Sequence, residues 1–162
     1  MKDFIKKYKL ILIVVLILID QFLKIFIFTT DFKMVTASGA GLILEQKIVS
    51  ENNLAYILID ILAIIILIKY MRSKNPFIKD SNRVILSFGI AGAISNLIDR
   101  IWNGKVINYI NIPNFATINL AYIYIIITWI GVAILLTKYT TERIQENKKK
   151  KTESSPKKER ER

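Results

Sequence analysis

Several polar side chains interrupt otherwise apolar stretches of the 162-residue chain. Asp20 and Lys24 are four residues apart, so on a helix they share a face and can neutralise each other. Asp60 lies in a second apolar stretch. Carboxylates in such surroundings can serve acid–base chemistry or can be structural ion-pair partners, because an isolated charge there is costly. Both interpretations are open for Asp60.

A further polar group follows a run of Gly, Ala and Ser residues that allows close helix approach. It consists of Asn96, Asp99 and Arg100. An aspartate at the C-terminal end of a helix interacts unfavourably with the helix dipole, so Asp99 requires a cation such as Lys24 or Arg100. We expect Asp20, Lys24, Asn96, Asp99 and Arg100 to form one buried polar cluster.

Composition restricts the chemistry further. The chain has no Cys and no His, which excludes thiol nucleophiles, His-based triads and zinc sites built from these residues. We expect no metal and no cofactor, so hydrolysis would rest on carboxylates or on Ser or Thr with Lys. The chain is 52% hydrophobic and carries a net charge of +11. Apolar segments that alternate with basic ones indicate a membrane surface as partner rather than nucleic acid.

Four apolar stretches predict the elements that position these side chains: residues 10–28, 54–68, 84–98 and 118–137. A helix needs about 20 residues to cross the hydrocarbon core. The middle two stretches are shorter and must borrow flanking residues. We therefore predict an all-α membrane protein with four transmembrane helices.

The distribution of Lys and Arg predicts orientation. The N-terminus, the second connection and the tail hold 19 of these residues, whereas the two other connections hold 4. Both termini are therefore expected in the cytoplasm. A cleaved signal peptide is the alternative for the first thirty residues. We favour a retained span because Asp20, Gln21 and Lys24 interrupt the apolar run and no small-residue cleavage site follows closely.

Two segments lie outside the predicted helices. Residues 29–53 alternate modestly near two glycines, which predicts a small extracytoplasmic β-ribbon. The segment from Thr140 is dominated by Lys, Glu, Ser and Arg, so we expect it to be disordered or to lie loosely on anionic lipid. The predicted domains are a membrane domain at 1–139 and a basic cytoplasmic tail at 140–162.

Four short motifs, in order, resemble those of lipoprotein signal peptidases (signal peptidase II). Residues 20–24, Asp-Gln-Phe-Leu-Lys, resemble Asp-Gln-x-x-Lys, and residues 92–100 are similar to Gly-Ala-x-Gly-Asn-x-Ile-Asp-Arg. Residues 104–110 resemble Gly-x-Val-x-Asp-Phe-Ile, and residues 118–122 resemble Phe-Asn-x-Ala-Asp. The resemblance implies a multi-pass protein of the bacterial cytoplasmic membrane. It also implies an intramembrane aspartic peptidase fold, whose members cleave signal helices of prolipoproteins before a diacylglyceryl-cysteine.

The chain departs from this pattern where the family has its two catalytic aspartates. Asn108 and Tyr122 occupy those positions, and no Asp or Glu occurs between Arg100 and Glu142. Asn cannot act as a general base, and Tyr has a reference pKa near 10. By the same resemblance Asp20, Lys24, Asn96, Asp99 and Arg100 match scaffold positions. Three further departures are Ala37, Leu42 and Ser95.

These residues predict a catalytically degenerate homologue that binds lipidated signal helices or lipopeptide mimics without cleaving them. Two alternatives stay open. One is an active peptidase with a rebuilt acidic site that recruits Asp60 and Asp99. The other is a non-enzymatic membrane assembly or immunity factor that uses the same bundle. We expect a monomer in contact with membrane lipid and, as ligand, a prolipoprotein signal helix or lipopeptide.

The predicted orientation can be tested directly because the chain has no Cys. In whole cells, Ser50→Cys and Asn103→Cys should react with a membrane-impermeant maleimide, whereas Ser73→Cys should react only after the cells are opened. If only Ser73→Cys were labelled in intact cells, the protein would have the opposite orientation to the one predicted.

Overall fold

Four long helices form the body of the protein. The structure is a computed structural model that describes residues 2–30, 34–35, 41–42, 53–73 and 80–154. The helices in these ranges are α1 Lys2–Thr30, α2 Asn53–Arg72, α3 Asp80–Asn103 and α4 Leu120–Ser154. Each is long and apolar enough to cross a membrane. The prediction of four transmembrane helices is confirmed.

The helices are longer than the predicted apolar stretches at nearly every end. α2 and α3 gain the flanking residues that their short apolar runs require. The fourth predicted stretch begins too early, because Ile118 belongs to a strand and α4 starts at Leu120. Backbone hydrogen bonds fix these boundaries, whereas hydropathy fixes only the apolar part of a span.

α3 is the central helix of the bundle, and α1, α2 and α4 all pack against it. In its apolar window 61% of the residues are buried, whereas none is buried in the window of α2. α2 is therefore apolar on faces that no protein covers, as expected for a helix surrounded by lipid. The polar residues of the spans lie mainly on the faces that meet α3.

Close approach of α3 and α4 depends on Gly92. A Cβ atom built there would lie 2.5 Å from the carbonyl oxygen of Ala121 and 3.0 Å from the side chain of Ile125. Only glycine leaves room for the first turn of α4 at this distance. The small-residue run of α3 thus provides the close contact that its composition predicts.

Four short antiparallel strands form a small sheet in the order β1-β2-β3-β4. β1 (Met34–Val35) and β2 (Gly41–Leu42) lie in the segment where the β-ribbon is predicted. β3 (Ile110–Ile112) and β4 (Ala116–Ile118) extend the sheet, and Leu42 of β2 pairs with Ile110 of β3. The sheet thereby ties the connection between α1 and α2 to the connection between α3 and α4.

The strands β3 and β4 are a hairpin that the sequence analysis did not predict. Pro113 and Asn114 occupy its turn, Asn114 has a φ of 60°, and Phe115 N donates to Ile112 O at 3.1 Å. Proline followed by a residue with positive φ is typical of a type II turn. Strands of three residues are too short to give a clear alternating pattern.

The described part of the tail, residues 140–154, is helical rather than disordered as expected. α4 continues without interruption through residues 140–154. Lys, Glu, Gln and Arg are all good helix formers, and neither Gly nor Pro occurs between Thr140 and Ser154. A low apolar content therefore does not end this helix. Ala37, Ser50 and residues 155–162 lie outside the described residues.

Replacing Gly92 should weaken the bundle. Gly92→Ala places a methyl group against the Ala121 carbonyl, so α3 and α4 must move apart, at a cost of about 1–3 kcal/mol. Thermal unfolding in detergent should show a lower midpoint. The matched control is Ala55→Val on the exposed surface of α2, which should leave the midpoint unchanged. Equal midpoints for both variants would contradict the role assigned to Gly92.

Candidate functional site

The centre of the polar cluster is the ammonium group of Lys24. Its Nζ lies 2.6 Å from Asp20 Oδ2 and 2.7 Å from Asp99 Oδ2. A third contact, at 3.3 Å, joins it to Asn96 Oδ1. An ammonium has three N–H donors, so these contacts use all of them. All four side chains are at least 99% buried, and one cation therefore serves two buried carboxylates.

The carboxylate of Asp20 receives three more hydrogen bonds. Ser95 Oγ donates to Oδ2 at 2.6 Å. Ala121 N donates to Oδ1 at 3.0 Å, and Tyr109 OH donates to the same oxygen at 3.3 Å. Hydrogen bonds from neutral donors stabilise a buried carboxylate, so they compensate for the cation that Asp20 shares with Asp99.

The carboxylate of Asp99 is also fully engaged. Gln21 Nε2 donates to Oδ1 at 3.0 Å, and Ile107 N donates to Oδ2 at 3.1 Å. Gln21 further donates to the backbone oxygen and the hydroxyl of Ser95. Asp99 therefore joins α1, α3 and the connection that leads to the β3–β4 hairpin.

The start of α4 is held by side chains of this site. The first N–H groups of a helix lack partners within the helix. Leu120 N donates to Tyr109 OH at 3.2 Å, Ala121 N donates to Asp20, and Tyr122 N donates to Asn119 Oδ1 at 2.9 Å. Asn119 is thus the N-cap of α4. The buried carboxylate of Asp20 also lies at the positive end of the helix dipole.

The hydroxyl of Tyr109 stays protonated at this position. Burial, and after it the negative charge of Asp20, raises the pKa of Tyr109 above its ordinary value. A protonated hydroxyl can donate to Asp20 and accept from Leu120 N at the same time. Tyr109 therefore connects the charged cluster to the first turn of α4.

Asn119 bridges the two positions that correspond to the aspartates of the resemblance. Its Nδ2 donates to Asn108 Oδ1 at 3.1 Å, and its Oδ1 accepts from Tyr122 N. Nδ2 also lies 3.0 Å from Asn96 Oδ1 and 3.1 Å from Ile107 O. Residues 108 and 122 accordingly lie on two sides of one fixed side chain.

Arg100 belongs to a second ion pair rather than to the Lys24 cluster. Its Nη1 lies 2.8 Å from Asp60 Oδ2, and its guanidinium carbon lies 5.2 Å from the centre of the Tyr56 ring. Asn53 Nδ2 donates to Arg100 O at 3.1 Å. These contacts connect α2 to α3. The expectation that all five scaffold residues share one cluster therefore holds for four of them.

Two roles were not predicted from the sequence: that of Tyr109 as a hydrogen-bond partner of Asp20 and that of Asn119 as the N-cap of α4. Tyr109 lies between the third and fourth predicted apolar stretches, and nothing in the chain marks its hydroxyl as a partner of a residue 89 positions away. Asn119 does carry a local signal, because Asn directly before an apolar helical run is a favoured N-cap. Among the described residues, no group of three or more Asp or Glu side chains is placed to hold a metal ion.

Removing the shared cation should be the most damaging change in the cluster. Lys24→Met leaves two buried carboxylates without an ion-pair partner, which should cost about 3–5 kcal/mol. Asp99→Ala keeps the Asp20–Lys24 pair and should cost less. In denaturation experiments in detergent, Lys24→Met should be less stable than Asp99→Ala, and both should be less stable than the exposed control Lys150→Met. A Lys24→Met protein as stable as the control would contradict the cluster's role.

Comparisons with known proteins identify the family and similar solved structures. The chain matches the family described as signal peptidase (SPase) II over residues 12–140. One similar solved structure, a bacterial membrane enzyme determined by the in meso method at 2.3 Å resolution, is 25% identical with a TM-score of 0.71. That match covers 96% of this chain and 94% of the other.

A second solved structure, a bacterial membrane enzyme determined by the same method at 1.9 Å resolution, is 24% identical with a TM-score of 0.66. The match covers 80% of this chain and 92% of the other chain, and at this identity it shows only that the folds are similar. No curated protein matches the chain. Because the family match extends over well over half of the sequence and includes the whole polar site, the chain belongs to the signal peptidase II family.

Proposed function

We propose that this protein is a non-cleaving member of the signal peptidase II family that binds lipidated signal helices, or lipopeptides that mimic them, within the membrane. The observation that carries the proposal is the pair Asn108 and Tyr122 beside Asn119, where the family resemblance expects two aspartates. An aspartic peptidase needs one protonated and one ionised carboxyl group to activate water. Neither residue supplies a carboxylate.

The acidic side chains described within the spans do not replace the two aspartates that the resemblance expects at positions 108 and 122. Asp20 and Asp99 are bonded to Lys24 and to several neutral donors, and Asp60 is bonded to Arg100. Both oxygens of Asp20 and of Asp99 already accept hydrogen bonds or ion-pair contacts, and Oδ2 of Asp60 is held by Arg100. This supports loss of cleavage over a rebuilt acidic site.

The retained scaffold supports binding. The hydrogen bonds that fix the start of α4, Asn119 and the connection after α3 do not require a carboxylate at position 108 or 122. A site that keeps its framework while losing its reactive groups can still hold a ligand, because binding and chemical activation use different interactions. The bulkier Tyr122 would occupy space near the scissile bond, so we expect a shallow binding mode.

The proposal also includes the setting. The family match and the four apolar helices indicate a multi-pass membrane protein. We infer the bacterial cytoplasmic membrane, with both termini in the cytoplasm, from the asymmetry of Lys and Arg. The ligand would then enter laterally from the bilayer and bind near the outer surface.

Cleavage and binding should be measured on one substrate. The probe is a synthetic signal helix that carries a diacylglyceryl-cysteine, and a family member with both aspartates is the positive control. We expect binding by this protein in nanodiscs and no cleaved product by mass spectrometry. General-base catalysis contributes about 10²–10⁴-fold to rate, and loss of the whole acid–base unit should remove detectable turnover.

Two outcomes would contradict the proposal. Cleavage that is lost in Asp60→Asn or Asp99→Asn would favour an active peptidase with a rebuilt site. Glu45→Gln and Glu51→Gln belong in the same series, because these acidic residues lie outside the described ranges. Absence of both cleavage and binding would favour a membrane assembly or immunity factor.

The double variant Asn108→Asp/Tyr122→Asp, which restores both carboxylates, tests whether the scaffold still supports slow cleavage.

A further inference from the structure

The orientation of the Asn119 amide is fixed by the backbone. Its Oδ1 caps α4 by accepting a hydrogen bond from Tyr122 N at 2.9 Å. A backbone N–H is only a donor, so the atom facing it must be the amide oxygen. The other end of the amide, Nδ2, is consequently the donor that faces Asn96, Ile107 and Asn108.

This fixed donor determines how Asn108 is oriented. Nδ2 of Asn119 can pair only with an acceptor, so Asn108 presents its Oδ1 to Asn119 at 3.1 Å and its own Nδ2 to the other side. Within the described part of the chain, no recorded hydrogen bond uses the Nδ2 of Asn108. Asn108 is half-buried, whereas Asn96 and Asn119 are buried, so Asn108 lies at the edge of the site.

An aspartate at position 108 would behave differently at the same place. One carboxylate oxygen could accept from Asn119 as Asn108 does, but the other oxygen would be an acceptor when ionised. Asn keeps the bond to Asn119 and turns the outward atom into a permanent, uncharged donor. It therefore resembles the protonated form of the acid, which binds a carbonyl oxygen, and lacks the ionised form, which activates water.

We infer that Asn108 donates a hydrogen bond from Nδ2 to a backbone carbonyl oxygen of the bound lipidated peptide, at the amide that precedes the lipidated cysteine. The inference rests on the proposed function and adds a specificity-determining residue to it. Such a bond holds the amide in place without polarising water toward it, so the ligand is retained and not consumed.

The test pairs two ligands with three proteins. One probe is a synthetic signal helix with a diacylglyceryl-cysteine, and the other has an (E)-alkene in place of the amide before that cysteine, which removes the carbonyl acceptor. Affinities are measured in nanodiscs for the unmodified protein, Asn108→Ala and the exposed control Asn103→Ala. The unmodified protein and the control should prefer the amide probe by about three- to tenfold, and Asn108→Ala should lose that preference.

Asn108→Asp is a second variant. It should fold, because its carboxylate can still accept the hydrogen bond from Asn119 Nδ2. At a pH that ionises the new carboxyl group it should bind the amide probe more weakly than the unmodified protein, since an ionised oxygen repels a carbonyl oxygen. At lower pH the protonated group should donate as Asn108 does, and the difference should disappear. Asn108→Ala should also fold, because Asn119 keeps two other acceptors. Thermal unfolding checks both variants.

The outcomes separate the two ideas. An equal preference for the amide probe in the unmodified protein and in folded Asn108→Ala would overturn the role of Asn108 and leave the proposed function standing. Failure of the unmodified protein to bind either lipidated probe would overturn both. Loss of preference confined to the Asn108 variants would support the inference.

Discussion

The architecture of the site depends on one ammonium group that serves two buried carboxylates. Lys24 compensates only one of the two negative charges of Asp20 and Asp99, so the remaining charge must be stabilised by neutral donors. Those donors are the side chains of Ser95 in α3, Gln21 in α1 and Tyr109 before β3, together with the backbone N–H groups of Ala121 and Ile107. The requirement to surround this charge therefore fixes the position of α4 and of the connection before it.

The same arrangement shows that the fold does not depend on carboxylates at positions 108 and 122. Asn119 is positioned by the first turn of α4 and by Asn96, which is itself bonded to Lys24. Residues 108 and 122 contact Asn119, and the contacts described above for Lys24, Asp20 and Asp99 do not involve them. Stability and chemistry are thus located in adjacent but different side chains, and the second can change while the first is maintained.

Part of this arrangement could be predicted from local rules. Spacing of four residues on a helix predicts the Asp20–Lys24 pair, and the unfavourable position of Asp99 predicts a cationic partner. The choice between Lys24 and Arg100 could not be made, because it depends on how α2 is rotated and brings Asp60 to Arg100. Tyr109 and the β3–β4 hairpin escaped prediction for a related reason. The contact between Tyr109 and Asp20 spans 89 residues, and the strands of the hairpin are too short to carry a periodic signal.

Electrostatics gives a reason why neutral residues are well tolerated at the two altered positions. The cluster around Lys24 already holds one more negative than positive charge, and Asn108 is only one side chain, Asn119, away from Asn96 within it. Two further carboxylates near this point would add like-charge repulsion in a medium of low dielectric constant. An active peptidase must sustain that cost because water activation needs an ionised acid. A protein that only holds its ligand does not, and an amide at position 108 keeps the hydrogen bond to Asn119 while removing the charge.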